Sequence, residues 1–367
     1  MGVDQRTRHA DEFRLRLIGV GNEAALDDFG RPRDAGQRAG EEPSGARFDR
    51  RDLEAGRAYP IRIRYSQPVE GAIPGFNVFS VSLRPPAPSF EDAVALAADS
   101  DVAVIFAGSG STSETEGCDR QEMALDAGQT RLIESVASAC PKTVVVLNIG
   151  APVEMPWVDK VDAILLSWLP GQEGGYAVTD LLSGKLSPSG KLPVTFPKAY
   201  RDNPTWLYYP GGSQADYGEG LFVGYRYYDS ADIDPLFPFG HGLTYSHFEI
   251  DHLSVPDMAQ AGDTVTVSLR LKNVGDCCGQ ETVQVYVEDC ATQETCPIQQ
   301  LRAFRKVRLE PGEERVLQFE LQARAFSWFD TDKNDWSVTP GRYVVHAGFS
   351  SRDLHVNAPI ELIVKAP

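Results

Sequence analysis

The sequence predicts an α/β layer followed by an all-β sandwich and preceded by a β-rich remnant. Three observations carry that prediction. Helical and extended segments alternate between residues 86 and 245, helical periodicity vanishes from 246 to 367, and residues 1–85 hold short alternating runs broken by charge, Gly and Pro. Alternating helix and strand marks a largely parallel sheet with helices packed on it. A series of strands separated by turn residues marks a sandwich.

The elements follow in order. "FRLRLIGV", "YPIRIRYS" and "NVFSVSLR" alternate apolar and polar residues and read as strands, with the charged, Gly- and Pro-rich "DDFGRPRDAGQRAGEEPSGARFDRRD" as a long loop between the first two. After "RPPAPS", "FEDAVALAADS" has apolar residues at helical spacing, and "DVAVIFAG" is a continuous apolar run suited to a parallel strand covered on both faces. "QTRLIESVASAC" reads as an amphipathic helix, "TVVVLNIG" and "AILLSWL" as strands, "EGGYAVTDLLSG" as a helix stopped by Gly184, and "GKLPVTFP" as extended. An aromatic-rich connector, "YGEGLFVGYRYYD" through "PLFPFGHGLTYSHFEI", leads into the sandwich strands "TVTVSLRLKNVG", "ETVQVYVED", "QLRAFRKVRLEPGEERVLQFEL" and "GRYVVHAGFSS". Pro311-Gly312 and Pro340-Gly341 supply turns, and Trp328, Phe329, Trp336 and Tyr343 are expected as large core contributors.

Composition narrows the functional classes. At 367 residues, with 42% hydrophobic and 10% aromatic residues, the chain can build two or three cored domains. The net charge of −17 argues against nucleic acid or an anionic membrane as partner, since polyanions are repelled by the mean field. "AILLSWL" falls far short of the roughly 20 apolar residues that span a bilayer. "MGVDQRTRHADEF" carries no secretory core, and Arg6 does not fit a myristoylation motif, so the expectation is a cytoplasmic protein or one whose natural N-terminus lies elsewhere. The six cysteines do not make a disulfide framework. Cys277, Cys278, Cys290 and Cys296 cluster near one hairpin without the paired spacing of zinc knuckles, and they read as strand residues. No metal and no cofactor is expected.

One stretch raises a question of chemistry. "SETEGCDRQEMAL", residues 113–125, sets carboxylates where the apolar run "DVAVIFAGSG" ends, in a loop a substrate can reach. Ligands of open α/β sheets collect beyond the carboxyl ends of the strands, which makes Glu116 a candidate, with Glu114 and Glu122 behind it. An acidic loop is more often simply solvated. "WLPGQEGG" lacks the Lys-Ser/Thr of a phosphate loop, and its glycines read as a tight turn into a helix. His241 in "FGHGLTY" reads as a packing residue, and Trp157, Trp168 and Tyr225 read as core aromatics before sugar-stacking ones.

Taken together, "ETEGCDR", "VVVLNIGAPVEMPW", "WLPGQEGG", "SGKLSPSGKLPVTFP", "YGEGLFVGYRYYD", "PLFPFGHGLTYSHFE" and "LRAFRKVRLEPGE" resemble, in order, the C-terminal half of a family 3 glycoside hydrolase of the β-glucosidase and β-xylosidase group. The resemblance covers about residues 85–355 and implies that 86–245 are part of the family's α/β sandwich domain and 246–367 its fibronectin type III-like domain. Residues 1–85, chiefly "DLEAGRAYPIRIRYSQ", resemble the tail of the PA14 sugar-binding β-sandwich that some members carry as an insert. The family's (β/α)8 barrel, with its nucleophilic aspartate, has no counterpart here. The chain therefore reads as a C-terminal part or one half of a split enzyme, with a separate barrel-bearing chain as a possible partner.

Retaining glycosidases use a nucleophilic carboxylate and an acid/base carboxyl about 5 Å apart. The resemblance matches Glu116 to the family's general acid/base, with Asp119 and Arg120 as supporting residues that pair to fix the loop. Cys118 and Asp126 depart from the family's usual residues beside it. The implied substrate is a β-glucoside or oligosaccharide. A non-catalytic carbohydrate-binding or scaffold protein is the alternative.

Overall fold

Ser89 and Asp126 open two helices by the same device, a side-chain oxygen that accepts a backbone N–H left unpaired in the first turn. A computed structural model describes residues 89–110, 114–116, 120, 122–209, 213–292 and 296–364, with the backbone of two further strands. It comprises two compact units, residues 1–99 and 100–367. In the first, β1 (Glu12–Ile18) and β2 (Ala58–Arg64) pair antiparallel with Phe13 opposite Ile63. The predicted strand "NVFSVSLR" and the long charged loop lie outside the described residues. The helix α1 (Phe90–Ala98) carries a reciprocal capping box: Asp92 N donates to Ser89 Oγ and Ser89 N to Asp92 Oδ2, both at 3.1 Å.

The second unit begins with a parallel sheet of β3 (Ala103–Gly108), β4 (Thr143–Asn148) and β5 (Ala163–Leu166), in the order β3-β4-β5. The crossover helix α2 (Ala127–Ala139) buries Ile133 and Val136 and packs against β3 and β4. Val145, Val146 and Leu147 of central β4 are fully buried. The expectation that both faces of β3 are covered does not hold. Among the described residues one face of β3 is covered and the other is not: Ile105 and Ala107 are buried, while Val104 and Phe106, on the opposite face, are 42% and 65% exposed. The helix α3 (Gly174–Leu182) stops at Gly184, whose φ of +74° suits the residue after a C-cap. "GKLPVTFP" is extended, pairing Phe196 with Phe237 in an isolated bridge, and the connector forms a short helix, α4 (Tyr225–Ser230).

The sandwich has one sheet in the order β10-β9-β14-β15-β7 and a second in the order β11-β8-β6, with a separate hairpin β12-β13. Their ranges are β6 (Phe248–Ser254), β7 (Met258–Gln260), β8 (Val265–Asn273), β9 (Gly279–Asp289), β10 (Gln299–Leu309), β11 (Glu314–Leu321), β12 (Ser327–Asp330), β13 (Asp335–Val338), β14 (Gly341–Gly348) and β15 (Leu354–Ile363). Val265, Val267, Leu269 and Leu271 alternate along β8 into a core shared with Val283, Val285, Phe319 and Tyr343. Three of the four expected core aromatics lie outside it: Trp328 is half-buried, its Nε1 donating to Thr339 Oγ1 at 3.0 Å, and only Tyr343 joins the cluster. Phe329 and Trp336 are about two-fifths exposed, at 42% and 41%, and pack edge to face on the small hairpin, with the Arg324 guanidinium over the Trp336 ring.

A polar seam ties the sandwich to the connector. Lys191 Nζ meets Glu281 Oε1 at 2.7 Å and donates to Gly242 O at 2.6 Å, with both side chains nearly buried. Gln284 Nε2 donates to Gly240 O and Phe349 O, and its Oε1 accepts from Tyr286 OH. Gly240 holds φ at +80°, and a Cβ there would collide with the Gln284 amide, so glycine is required twice over. Arg352 pairs with Asp229, which also accepts from Gln299 Nε2 at 3.1 Å. Burial raises the Asp229 and Glu281 carboxyls above their usual range despite these partners. Removing one partner of such a buried pair costs about 3–5 kcal/mol.

His241 stacks on Phe237 with ring centroids 5.3 Å apart. Burial, and then repulsion by Lys191, hold its pKa below the ordinary 6.5. The folded state therefore binds this proton less readily than the unfolded state. Its contribution to stability is complete above pH 6.5 and is lost as pH falls through the lowered folded value. His241→Phe, which keeps the ring stack, should flatten that acid-side loss in denaturation curves measured between pH 7 and pH 5.

Candidate functional site

The site lies at the carboxyl end of the parallel sheet, where the loops after β3 and β4 run side by side. The β3–β4 ladder extends one step past the strands, with Ser109 N donating to Asn148 O at 3.1 Å. Gly108 is held from α2 by both ends of one amide: Gln129 Oε1 accepts from Gly108 N and Gln129 Nε2 donates to Gly108 O, each at 2.9 Å. A Cβ at Gly108 would collide with the Asn148 carbonyl, so only glycine permits this approach.

From that base the acidic loop rises. Glu114 N donates to Gly110 O at 3.1 Å, and Glu114 Oε1 accepts from Gly150 N, in the loop after β4, at 2.9 Å. Glu116 follows in a turn and is exposed. Arg120 returns the loop to the sheet: Nη1 donates to Pro152 O at 3.2 Å and Nη2 to Met123 O at 3.4 Å. The sequence pairs Arg120 with Asp119, but Asp119 lies outside the described residues, and the partners described for Arg120 are backbone carbonyls. Below it, Glu154 N donates to Met123 O, and Glu154 Oε1 accepts from Tyr200 N at 2.6 Å. Asp126, one of the residues noted as a departure, accepts from Gly128 N at 2.8 Å and caps α2.

Beside this loop is an open hollow of about 430 Å³ lined by Gly150, Ala151, Pro152, Trp168, Pro193 and Val194. Trp168 reaches it by a left-handed backbone, φ +53°, a conformation uncommon for a bulky residue. Its ring lies 6.1 Å from that of Phe196.

The other singled-out residues are structural in their contacts. Trp157 is fully buried, and Tyr225 stacks on Phe239 at 4.8 Å while its hydroxyl accepts from Leu301 N at 2.7 Å. Glu122 is exposed. In "WLPGQEGG", Gly171 at φ +68° turns the chain and Gly174 packs under Pro170 at the start of α3. Cys277, Cys278 and Cys290 are free thiols, and the Cys277 carbonyl accepts from Ser246 Oγ and Asn273 Nδ2, both at 2.9 Å. Neither the Gln129 clamp nor the Glu114 bond to Gly150 is legible in the sequence, because both join residues whose contact depends on strand register.

This layout, an acid-bearing loop at the carboxyl edge of a parallel α/β layer joined to a β-sandwich, is matched by known families. The glycosyl hydrolase family 3 C-terminal domain matches residues 17–245, and the fibronectin type III-like domain matches residues 281–351. The chain belongs to glycosyl hydrolase family 3. It is 48% identical over 261 residues to "Thermostable beta-glucosidase B" of Acetivibrio thermocellus, covering 70% of this chain and 34% of that protein. Among solved structures, a GH3 beta-glucosidase of Bifidobacterium adolescentis superposes with a TM-score of 0.72 at 40% identity, over 76% of this chain and 42% of that one. A beta-glucosidase of Kluyveromyces marxianus superposes with a TM-score of 0.82 at 31% identity, over 96% of this chain and 44% of that one. The chain spans about a third of the length of its curated relatives, from 31% to 39%.

Gly108→Ala should push β3 away from β4 and destabilise the protein by about 1–3 kcal/mol. Urea denaturation should register this as a lower midpoint at unchanged slope.

Proposed function

We propose that these residues form the C-terminal part of a retaining β-glucosidase-like glycoside hydrolase, with Glu116 as its general acid/base. The observation that carries the reading is the exposed Glu116 carboxyl, held at the carboxyl edge of the parallel sheet between bonds from Glu114 and Arg120 to the next loop. The relatives, which are named β-glucosidases, support the same class. The substrate is a β-glucoside or oligosaccharide. Arg120, with Asp119, supports the loop.

In this reading the nucleophilic carboxylate comes from a barrel supplied outside these residues. Its attack on the anomeric carbon breaks the glycosidic bond while Glu116 gives its proton to the departing oxygen. The Glu116 carboxylate then takes a proton from the water that attacks the glycosyl-enzyme, returning both carboxyl groups to their starting states. The N-terminal strands read as the end of a PA14-like sugar-binding module.

The test combines the chain with the barrel-bearing portion of a relative. Alone, the chain should not hydrolyse an aryl β-glucoside, and the combination should. Glu116→Gln should then lower kcat/KM on alkyl glucosides by about 10²–10⁴-fold. The glycosylation step of dinitrophenyl glucosides, which need little protonation, should be spared. Full activity of Glu116→Gln on alkyl glucosides would overturn the assignment.

A further inference from the structure

The loop that carries Glu116 is attached to one short segment of the neighbouring loop on both sides. Before it, Gly150 N donates to Glu114 Oε1 at 2.9 Å. After it, Arg120 Nη1 donates to Pro152 O at 3.2 Å. The two attachment points are two residues apart, so Glu116 stands on an arch whose feet rest on residues 150–152. The Arg120 foot uses a cation on a carbonyl. The Glu114 foot uses a carboxylate on an amide, a charge-assisted bond stronger than a neutral one.

Gly150 is shaped for this bond. A Cβ at Gly150 would overlap the Glu114 carboxylate, so the absence of a side chain lets the carboxylate reach the amide. Glu114 is also fixed from its own backbone by the turn to Gly110 O. Its half-buried side chain thus points away from the solvent-facing Glu116 and onto the β4 loop.

From this geometry we infer that Glu114 is a positioning residue: its carboxylate locks the loop after β3 to the Gly150 amide and so sets where the Glu116 carboxyl stands. This rests on the reading of Glu116 as the acid/base. An acceptor is needed more than a charge: Glu114→Gln, which keeps an oxygen for Gly150 in a weaker neutral bond, should recover most of what Glu114→Ala loses. Gly150→Ala should resemble Glu114→Ala, because it displaces the same carboxylate from the same amide.

Two measurements test the inference. In the chain alone, the Gly150 amide should exchange slowly with solvent deuterium in the wild type and in Glu114→Gln, and quickly in Glu114→Ala. In the chain combined with a barrel-bearing segment, Glu114→Ala should lower kcat/KM on alkyl glucosides on the order of a hundredfold, the scale of a 1 Å misplacement of a reacting group. Dinitrophenyl glucosides should be spared, as they are in Glu116→Gln, with an unchanged melting temperature. Equal loss on both substrate types in Glu114→Ala, no loss on either, or Glu114→Gln as impaired as Glu114→Ala would overturn the positioning role while leaving Glu116 its own. Loss of leaving-group selectivity in Glu116→Gln itself would overturn the acid/base reading and this inference with it.

Discussion

The parallel register that sets Gly108 beside Asn148 is the constraint on which the candidate site rests. Parallel pairing brings the exits of β3 and β4 to the same end of the sheet, so the loops that follow them can bond to each other. The described bonds that tie the acidic loop to the loop after β4 depend on it. Ser109 continues the ladder to Asn148, Glu114 reaches Gly150, and Arg120 reaches Pro152. The Gln129 amide holds the pivot of this arrangement from the crossover helix, so helix, strand and loop are fixed by one pair of bonds at Gly108.

The sandwich is joined to this layer by directional contacts. Gln284, Glu281, Gln299 and Arg352 all reach back to residues 191–242. Buried polar groups must meet partners at fixed positions, so such a seam specifies one orientation where an apolar seam would tolerate several. The sandwich thereby braces the connector and the extended segment that follows α3, and Pro193 and Val194 of that segment line the hollow beside Trp168.

Much of the fold was legible because burial imposes a period on the sequence. "DVAVIFAG", "QTRLIESVASAC" and "TVVVLNIG" became β3, α2 and β4, and "TVTVSLRLKNVG" alternates as β8 because one face of that strand packs into the sandwich core. The exposed face of β3 was not legible, since a continuous apolar run reads the same whether or not a second layer covers it. Phe329 and Trp336 misled for a related reason: aromatic character says that a ring will pack, and here the two rings pack on each other at the surface. In the candidate site, the position of Glu116 after a strand could be read from the chain. The anchors at Gly150, Pro152 and Gly108 could not, because each pairs residues more than twenty positions apart through a backbone group that carries no residue-specific signal.

The central claim is that Glu116 passes the proton in both halves of a double displacement, and the second half isolates it most directly. When Glu116→Ala is combined with a barrel-bearing segment and given a dinitrophenyl β-glucoside, the glycosyl-enzyme should form and then stall for want of a base to activate water. Azide needs no such base. The account predicts that azide restores turnover and that the product, identified by proton NMR, is the β-glucosyl azide. Unchanged turnover in azide, or an α-configured adduct, would contradict it.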